Sequence, residues 1–597
     1  MKKLIPVALL LVFFSFSNSR LVSNPNYVIA IMDFKDASGD PSYEYLKIAA
    51  AELFSTNLAL SSKVTILDRD RVKNILKQHG LVMSGIAEGN LQKVGKLLSA
   101  RQILSGAIVK AGSQIRIDAR LTEVKSGKVI AAGKKRCADK DSIIDGIDYL
   151  SSDIISKLTG EKLFRDTGNP VISVPGHRYV NVEVTPQNKY FLKGSRGSFF
   201  VRTGFIAKKI LKKIKRLPLN IVVVLDKSGS MSSGGKMSNA KEAISFIIKN
   251  LTPDDTFSLV AYDSRVATII EPVNVKNKKS LISQVLQLRP GGSTNLSGGM
   301  LEGYNQAEKN YRSNQVNRVL LISDGLANVG ITDQVQLQKI AKGRSDRIST
   351  STFGVGTYFN EKLMTNIAEY GNANYYYIDK SDKIPGIFSK ELNGLLAVAA
   401  QNCSVYVIPA GGVSVKQVHG FKYDRKRNEV VVKFGDLISE EKKICLIEFE
   451  VSKSRNISSA GTVRLEYDDA VDFKGRKKFK KNISLTGTAN ASLVKKNVNH
   501  LVLSDIELFL SSESMERAMD EADDGDIKKA KDNLSASYSR VRKVMVNTNS
   551  REMKKQALNL IEYQVKLKNA GKHRGSGKFK AMQKESRAMQ YKMRKKK

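Results

Sequence analysis

Residues 221–231 constrain the fold of this chain more than any other stretch, because they read IVVVLDKSGSM and turn abruptly polar at Asp226. The continuous apolar run before that residue predicts a strand that is buried on both faces. Strands of this kind belong to parallel sheets covered by helices, and such sheets bind ligands at the carboxyl ends of their strands. The turn after Asp226 is therefore predicted to carry a binding site.

The sequence around this run alternates between strand-like and helix-like segments from residue 218 to residue 398. Right-handed crossovers would place the helices on both faces of one parallel sheet. We therefore predict a doubly wound α/β domain over 218–398. Its strands are predicted near positions 220–225, 256–261, 318–323, 350–355 and 374–378.

Two kinds of site do not fit the turn after Asp226. A phosphate-binding loop needs a glycine five positions before Gly235 and a Ser or Thr after the following lysine, but the sequence has Ser230 and Met237 there. Residues 233–236 match the S-x-x-K pattern of a serine nucleophile, yet the companion motifs of that pattern are absent in usable positions. Phosphate binding and covalent catalysis are therefore not supported.

A metal site does fit this turn. Asp226, Ser228 and Ser230 alternate just beyond the strand, so one carboxylate and two hydroxyl groups can converge on one point. Downstream, Thr294 lies in a glycine-rich turn before a helix, and Asp324 ends a second apolar strand. Oxygen ligands of low total charge suit Mg²⁺, and Mn²⁺ and Ca²⁺ stay open as alternatives. We predict that these five residues bind a divalent metal ion.

The set D-x-S-x-S, then Thr, then Asp resembles the metal-ion-dependent adhesion site (MIDAS) of von Willebrand factor A (VWA) domains, over residues 218–398. The resemblance implies that Ser228, Ser230 and Thr294 supply hydroxyl groups. It also implies that Asp226 and Asp324 bind the metal directly or through water. In that family the site leaves one coordination position for the carboxylate of a protein partner, so the expected partner is a protein with an exposed acidic group.

Residues 27–160 form a second α/β pattern, which ends in three strands with turns at 111–112 and 126–127. Segments such as IAIMDFKDASGD and KVGKLLSARQILSGAI resemble the curli-assembly (CsgG-like) transporter family of the Gram-negative envelope. The membrane hairpins and lipid anchor of its pore-forming members are not found in this sequence. The resemblance therefore implies an envelope protein near the outer membrane and leaves open a homo-oligomer formed through this domain.

The first residues, MKKLIPVALLLVFFSFSNSR, have two lysines before an apolar run and small residues after it. This pattern is typical of a secretory signal peptide, predicted here for residues 1–19. We expect export to the periplasm or the outer membrane of a Gram-negative bacterium, and exposure at the cell surface stays open.

Strand-like segments lie on both sides of the predicted metal-binding domain, in residues 170–217 and 399–490. The strands before it are too few to be stable alone. We therefore predict one β-sandwich that is split by the VWA domain. Residues 491–570 show helical periodicity and predict a helical hairpin or bundle, with an N-cap at Asp526.

The last 27 residues, 571–597, contain eleven Lys or Arg and one acidic residue, Glu585. This charge predicts a disordered basic tail with affinity for an anionic envelope surface or an acidic protein. Nucleic acid is not the expected partner of an exported protein. The whole chain has a formal net charge of +40, which fits either anionic partners or a lysine-rich solvated surface.

Three cysteines are too few for a disulfide scaffold, although Cys403 and Cys445 are candidates for a bridge between adjacent strands. No cysteine or histidine spacing indicates zinc, and no general base, nucleophile or cofactor loop is found, so we predict that the protein is not an enzyme. We expect an α/β multidomain binding or adhesion protein that captures an acidic group through a divalent metal. The alternative is an outer-membrane assembly scaffold in which the metal site is only structural.

Overall fold

The computed structural model of the protein describes residues 27–83, 90–112, 114–140, 142–163, 173–174, 178–194, 197–210, 216–451, 458–570 and 576–595. The chain divides into two compact units, Met1–Asp166 and Thr167–Lys597. The predicted signal peptide, residues 1–19, lies outside the described residues. Across the described segments, no helix combines the length and the apolar character that crossing a membrane requires.

The first unit contains one mixed sheet with helices packed on it. Its elements are β1 (Tyr27–Ile31), β2 (Lys35–Asp36), α1 (Leu46–Leu58), β3 (Val64–Ile66), α2 (Arg69–Gln78), α3 (Leu91–Leu97), β4 (Gln102–Ala111), β5 (Gln114–Glu123), β6 (Val129–Cys137) and α4 (Ile143–Thr159). The strand order is β3-β1-β4-β5-β6, with β1 parallel to both neighbours and β4 to β6 antiparallel. The two predicted turns are confirmed, and Gly112 and Gly127 have the positive φ that glycine tolerates.

The second unit opens with four strands and continues into a helix-covered sheet. The four strands are β7 (Ser173–Val174), β8 (Val180–Pro186), β9 (Tyr190–Leu192) and β10 (Gly197–Ala207). The elements of the central domain are β11 (Leu219–Asp226), α5 (Lys236–Asn250), β12 (Thr256–Tyr262), β13 (Val266–Asn274), α6 (Lys278–Gln287), α7 (Leu296–Lys309), β14 (Val316–Ser323), α8 (Gln334–Arg344), β15 (Ser349–Val355), α9 (Glu361–Tyr370), β16 (Asn372–Ile378) and α10 (Ile384–Leu395).

The central sheet has the strand order β13-β12-β11-β14-β15-β16, and all its pairings are parallel except that of the edge strand β13. All residues of β11 and β14 are buried, which explains the continuous apolar runs 221–225 and 319–322 within them. Helices α5, α6 and α10 share a core with one face of the sheet, and α7, α8 and α9 share a core with the other. The predicted doubly wound parallel sheet is therefore present.

Two elements of the central domain are not predicted by the sequence pattern. Strand β13 is an edge strand with mostly exposed or half-exposed residues, so it lacks a strong apolar signal. Helix α10 has a proline in its first turn and two glycines, Gly386 and Gly394, which lower its apparent helix propensity.

Eight strands follow the central domain: β17 (Val398–Pro409), β18 (Val413–His419), β19 (Tyr423–Arg425), β20 (Val430–Ile438), β21 (Lys442–Val451), β22 (Ser459–Asp469), β23 (Arg476–Ser484) and β24 (Thr486–Thr488). With the four earlier strands they form two five-stranded sheets, β18-β21-β10-β8-β7 and β19-β20-β17-β22-β23, and the short pair β24-β9. Apolar residues from both five-stranded sheets share one core. We refer to these two sheets as the β frame.

The three cysteines are free thiols in the structure. Cys403 lies in β17 and Cys445 in β21, which belong to different sheets of the β frame. A disulfide between adjacent strands is therefore the wrong expectation for this pair. Burial in the shared core raises the pKa of both thiols far above the ordinary value, so the thiols are neutral packing groups.

The C-terminal region is helical, with α11 (Ala491–Lys496), α12 (His500–Asp524), α13 (Ile527–Thr548), α14 (Arg551–Ala570) and α15 (Gly577–Lys595). The predicted N-cap at Asp526 is confirmed, because its side chain accepts a hydrogen bond from the backbone N–H of Lys529. The preceding Gly525 ends α12 in a left-handed conformation. The predicted helical range 491–570 therefore contains three long helices, α12 to α14, and α15 lies beyond it.

The disordered basic tail predicted for 571–597 is wrong for residues 577–595, which form α15. Four apolar residues at helical spacing are buried: Phe579, Met582, Ala588 and Tyr591. The last two belong to the same core as α7, α8 and α9. Several basic side chains have acidic partners in other helices, as in Arg587 with Asp520 and Asp523 at 2.8 and 2.7 Å. This compensation, invisible in the local sequence, allows the helix to dock.

Charged pairs with little exposure connect α12 to the β frame. Arg202 in β10 forms ion pairs with Glu183 and, at 2.5 Å, with Asp505. His419 is 2% exposed, and its Nδ1 lies 2.8 Å from Glu513 and its Nε2 3.4 Å from Glu448. Burial alone would lower the pKa of His419, but the hydrogen bonds to the two glutamates outweigh it and raise the pKa to about 9.

Candidate metal centre

Asp226 and Asp324 bring two carboxylates to one edge of the central sheet. Asp226 is the last residue of β11, and Asp324 directly follows β14, the parallel neighbour of β11. Asp226 is 0% and Asp324 1% exposed. The parallel register therefore places both carboxylates at the carboxyl end of the sheet, as the sequence predicts.

The turn after β11 adds two hydroxyl groups. The backbone N–H of Ser228 donates a 2.9 Å hydrogen bond to Oδ1 of Asp226, which fixes the direction of the turn. The hydroxyl oxygens of Ser228 and Ser230 are 3.1 Å apart, and Ser230 Oγ donates to Oδ1 of Asp324 over 2.7 Å. Four of the five predicted ligands are thus connected by direct hydrogen bonds.

Thr294 is held beside the same strand ends by its loop. The loop before α7 is tied to the turn after β11, because Gly291 N–H donates to the Lys227 carbonyl at 2.7 Å and Gly229 N–H donates to the Gly292 carbonyl at 3.0 Å. The backbone N–H of Thr294 donates to the side chain of Asn328 over 2.9 Å. Thr294 is buried, and its position depends on backbone contacts with both neighbouring loops.

Gly325 shows that the hydroxyl groups of Thr294 and Ser230 face the same small space. A Cβ atom built on Gly325 would lie 3.2 Å from Thr294 Oγ1 and 3.7 Å from Ser230 Oγ. The residue after Asp324 therefore has no side chain where these two hydroxyl groups approach. The structure brings all five predicted residues together.

The electrostatics of the centre favour a cation. Burial raises the pKa of Asp226 above its ordinary value, hydrogen bonds from Ser228 and Ser323 offset part of the shift, and the charge of Asp324 adds to it. Ser323 Oγ donates to Oδ2 of Asp226 over 2.8 Å. Two buried carboxylates this close repel each other, and a cation between them would relieve that repulsion.

Two residues of the centre are not identified from the sequence as part of a metal site. In the sequence, Ser323 is identified only as the end of a predicted strand. Lys236 occurs only in the phosphate-loop and S-x-x-K patterns, which this chain does not complete. Lys236 Nζ donates to Oδ2 of Asp324 at 2.6 Å and to the carbonyl of Ser230 at 3.2 Å. No local signal identifies Lys236, because the helix dipole disfavours a lysine at the start of a helix but does not indicate which residue compensates its charge.

The residues of the centre fit a divalent metal ion by their chemistry. Two carboxylates and three hydroxyl groups are oxygen donors of the kind that Mg²⁺ prefers. Within the described part of the chain, no group of three or more His, Cys, Asp or Glu side chains is arranged to hold a metal. The centre therefore depends on the hydroxyl groups of Ser228, Ser230 and Thr294 as well as on its two carboxylates.

Comparison with known families identifies the central domain. Residues 220–390 match the von Willebrand factor type A domain. Both predicted strands that end in an acidic ligand, and the helices between them, lie inside this range. The chain therefore contains a VWA domain, as the resemblance indicates.

Known proteins with similar sequences match over part of their length. The uncharacterized protein YfbK of Escherichia coli (strain K12) is 31% identical over 269 residues, which cover 43% of this chain and 46% of that protein. The uncharacterized protein sll0103 of Synechocystis is 26% identical over 277 residues, covering 44% and 65%. Inter-alpha-trypsin inhibitor heavy chain H4 of Bos taurus is 25% identical over 252 residues, covering 40% and 27%. The chain thus covers less than two thirds of each of these relatives.

Solved structures are similar over a larger part of the chain than these relatives. The von Willebrand factor type A protein from Catenulispora acidiphila superposes with a TM-score of 0.53 and 16% sequence identity, covering 64% of this chain and 92% of that one. At this identity the similarity concerns the fold alone.

Proposed function

We propose that the protein is a non-enzymatic, exported binding protein of the cell envelope that captures an acidic group of a protein partner through a divalent metal ion. The metal, Mg²⁺ in the first place and Mn²⁺ or Ca²⁺ as alternatives, would be held by the five predicted ligands: Asp226, Ser228, Ser230, Thr294 and Asp324. When bound, the metal supplies a positive centre that accepts a carboxylate oxygen.

One observation carries this proposal: the two strand-end carboxylates and the Ser230 hydroxyl converge from segments almost a hundred residues apart, and Thr294 faces the same space. Ser230 is exposed, while the other four predicted ligands are buried, so the centre meets solvent at Ser230. VWA domains are generally used in protein–protein interaction, which supports a partner rather than a substrate.

We also propose that the VWA domain works as an insertion in a β-sandwich. Supporting this, β10 before the domain forms a ten-residue antiparallel ladder with β21 after it. Arg318 in β14 pairs with Asp436 in β20 over 2.8 Å, so the central sheet is also anchored to the β frame by a buried contact. The domain is thus attached by both of its ends and by this ion pair.

The proposal also includes export, which the sequence pattern of residues 1–19 supports. It includes association with the outer membrane, which the curli-assembly resemblance of residues 27–160 supports. The first unit is compact by itself, which suits a separate role in oligomerisation. If that unit carries the main function, the protein is an assembly scaffold and the metal is only structural.

The test is affinity capture from envelope extracts with the immobilised full chain, in Mg²⁺ and in chelator. Partners that bind in Mg²⁺, leave in chelator and are not retained by the Asp324→Ala variant support metal-dependent capture. Asp346→Ala is the matched control, because Asp346 is an exposed aspartate of the same domain whose side chain is 72% accessible. Partners retained equally in all conditions would favour the scaffold.

A further inference from the structure

Lys236 places a positive charge directly on the candidate metal centre. Its Nζ contacts Oδ2 of Asp324 at 2.6 Å and the carbonyl of Ser230 at 3.2 Å. The ammonium group therefore bridges two predicted ligands that come from different loops. The side chain of Asp324 is fully buried and that of Lys236 is 18% exposed.

The position of Lys236 in its helix does not explain this contact. Lys236 is the first residue of α5, where the helix dipole disfavours a positive charge. Asp324, 88 residues further along the chain, supplies the compensating negative charge. The ion pair is therefore a property of the metal centre and not of the helix.

The space around the ammonium group is limited on one side. A Cβ atom built on Gly356, in the loop after β15, would lie 3.8 Å from Cε and 4.0 Å from Nζ of Lys236. The side chain is not enclosed in the core, because 18% of it is exposed to solvent.

We propose that Lys236 is the internal counter-ion of the metal centre, which neutralises Asp324 until a divalent cation binds and which the cation must displace. This inference rests on the proposed function, because it presupposes that the five oxygen side chains bind such a cation. An ammonium group and a divalent ion on one buried carboxylate repel each other strongly where water does not screen them. Metal binding and release of Lys236 are therefore coupled.

The ion pair should affect two properties in opposite directions: the stability of the metal-free protein and the affinity for the metal. Without metal, Lys236 stabilises the fold, since Asp324 would otherwise be a buried charge without compensation. With metal, the same ion pair lowers the affinity, because it has to be broken before the cation can use Oδ2. Removal of the charge should thus weaken the metal-free protein and strengthen metal binding.

The experiment is a calorimetric titration of the full chain with Mg²⁺ and with Mn²⁺, in wild type, Lys236→Met and Lys236→Arg. Methionine keeps much of the length of the lysine side chain without its charge, and arginine keeps the charge. We expect Lys236→Met to bind the metals at least about tenfold more tightly, a factor equivalent to about 1.4 kcal/mol. Its metal-free thermal midpoint should be lower than that of wild type, and Lys236→Arg should stay close to wild type in affinity.

Equal or weaker metal binding by a folded Lys236→Met would overturn the inference and leave the proposed function intact. If neither wild type nor Lys236→Met binds either metal, the proposed function itself fails. The two failures are therefore distinguishable.

A second measurement uses only the wild-type protein, so it tests the release of Lys236 even if Lys236→Met does not fold. The wild-type protein is pulsed with acetic anhydride with and without saturating Mg²⁺, and acetylation of single lysines is quantified by mass spectrometry. Acetylation of Lys236 should rise several-fold with Mg²⁺, while Lys339, an exposed residue of α8, should not change. Unchanged or lower acetylation of Lys236 on metal binding would show that the ammonium group is not displaced.

Discussion

The hydroxyl group of Ser230 donates a 2.7 Å hydrogen bond to Oδ1 of Asp324, which joins two strand ends separated by 94 residues of sequence. Ser230 is exposed and Asp324 is buried, so the bond connects the solvent-facing side of the centre with a buried charge. The proposed capture of an acidic group needs access of this kind.

Asp226→Ala is expected to abolish stabilisation by Mg²⁺. A ligand that binds only the folded state raises the unfolding free energy by about 2.7 kcal/mol at a hundredfold excess over its Kd. The thermal midpoint of the wild type should therefore rise in millimolar Mg²⁺, and that of Asp226→Ala should not. Asp346→Ala should respond like wild type. An equal rise in wild type and Asp226→Ala would place the metal at another site.

Thr294→Ala should leave the fold intact and weaken partner capture, because the hydrogen bonds to Asn328 and Val329 use the backbone of Thr294 and survive the change. Asp324→Ala should be more severe, since it removes a charge of the centre and the partner of Lys236. Thr294→Ser, which restores the hydroxyl group, is the rescue control. Retention of every partner by both alanine variants would favour the scaffold, and failure of both to fold would make the metal structural.

Gly325→Ala should lower the affinity for Mg²⁺ with little loss of stability. Its Cβ would lie 3.2 Å from Thr294 Oγ1, so the hydroxyl group has to shift, and Mg²⁺ tolerates displaced ligands poorly. Calorimetric titration measures the affinity, and urea unfolding measures the stability. Gly291→Ala is the matched control in the neighbouring loop, because a Cβ there meets nothing within 4 Å. Equal affinities in the two variants would mean that Thr294 Oγ1 is not a ligand.

His419 should make the stability of the second unit depend on alkaline pH. Because its pKa is raised to about 9 in the folded state, protonated His419 stabilises the fold, fully below the ordinary value of 6.5 and no longer above about pH 9. The loss of unfolding free energy across this window should be on the order of 3 kcal/mol. His419→Gln should flatten the pH profile of the unfolding free energy, whereas His500→Gln, at an exposed position of α12, should not. Parallel profiles for wild type and His419→Gln would contradict the buried contact with Glu448 and Glu513.

Tyr591→Ala should destabilise the protein by about 3 kcal/mol or more, the usual effect of removing a buried aromatic ring. Tyr591 is 3% exposed, its ring packs edge-on against Tyr375 at 5.7 Å, and its hydroxyl oxygen accepts a hydrogen bond from the backbone N–H of Tyr375. Lys578→Ala, at an exposed position of α15, is the control. Urea unfolding measures both. Unchanged stability after truncation behind Ala570 would instead show that the basic segment is a free tail.

The central sheet and its ligand residues follow from the sequence because both signals are local. Strands β11 and β14 contain continuous apolar runs, 221–225 and 319–322, a pattern typical of strands that are buried on both faces. The ligands stand at the ends of these strands or in the adjacent loops, so strand positions alone bring Asp226 and Asp324 to one edge. The N-cap at Asp526 is predictable for the same reason, since it concerns a contact three residues away.

Only the tertiary structure decided how the charges of the chain are compensated. The basic residues of α15 dock because acidic residues of α9 and α12 face them, as Glu369 faces Arg594 at 2.9 Å. Lys236 forms an ion pair with Asp324, although the two residues are 88 positions apart in the sequence. Local periodicity predicts which face of a helix or strand is buried. The sequence around a charged residue does not indicate which residue will pair with it. Whether a cluster of lysines becomes a solvated tail or a packed helix therefore depends on residues that only folding brings close.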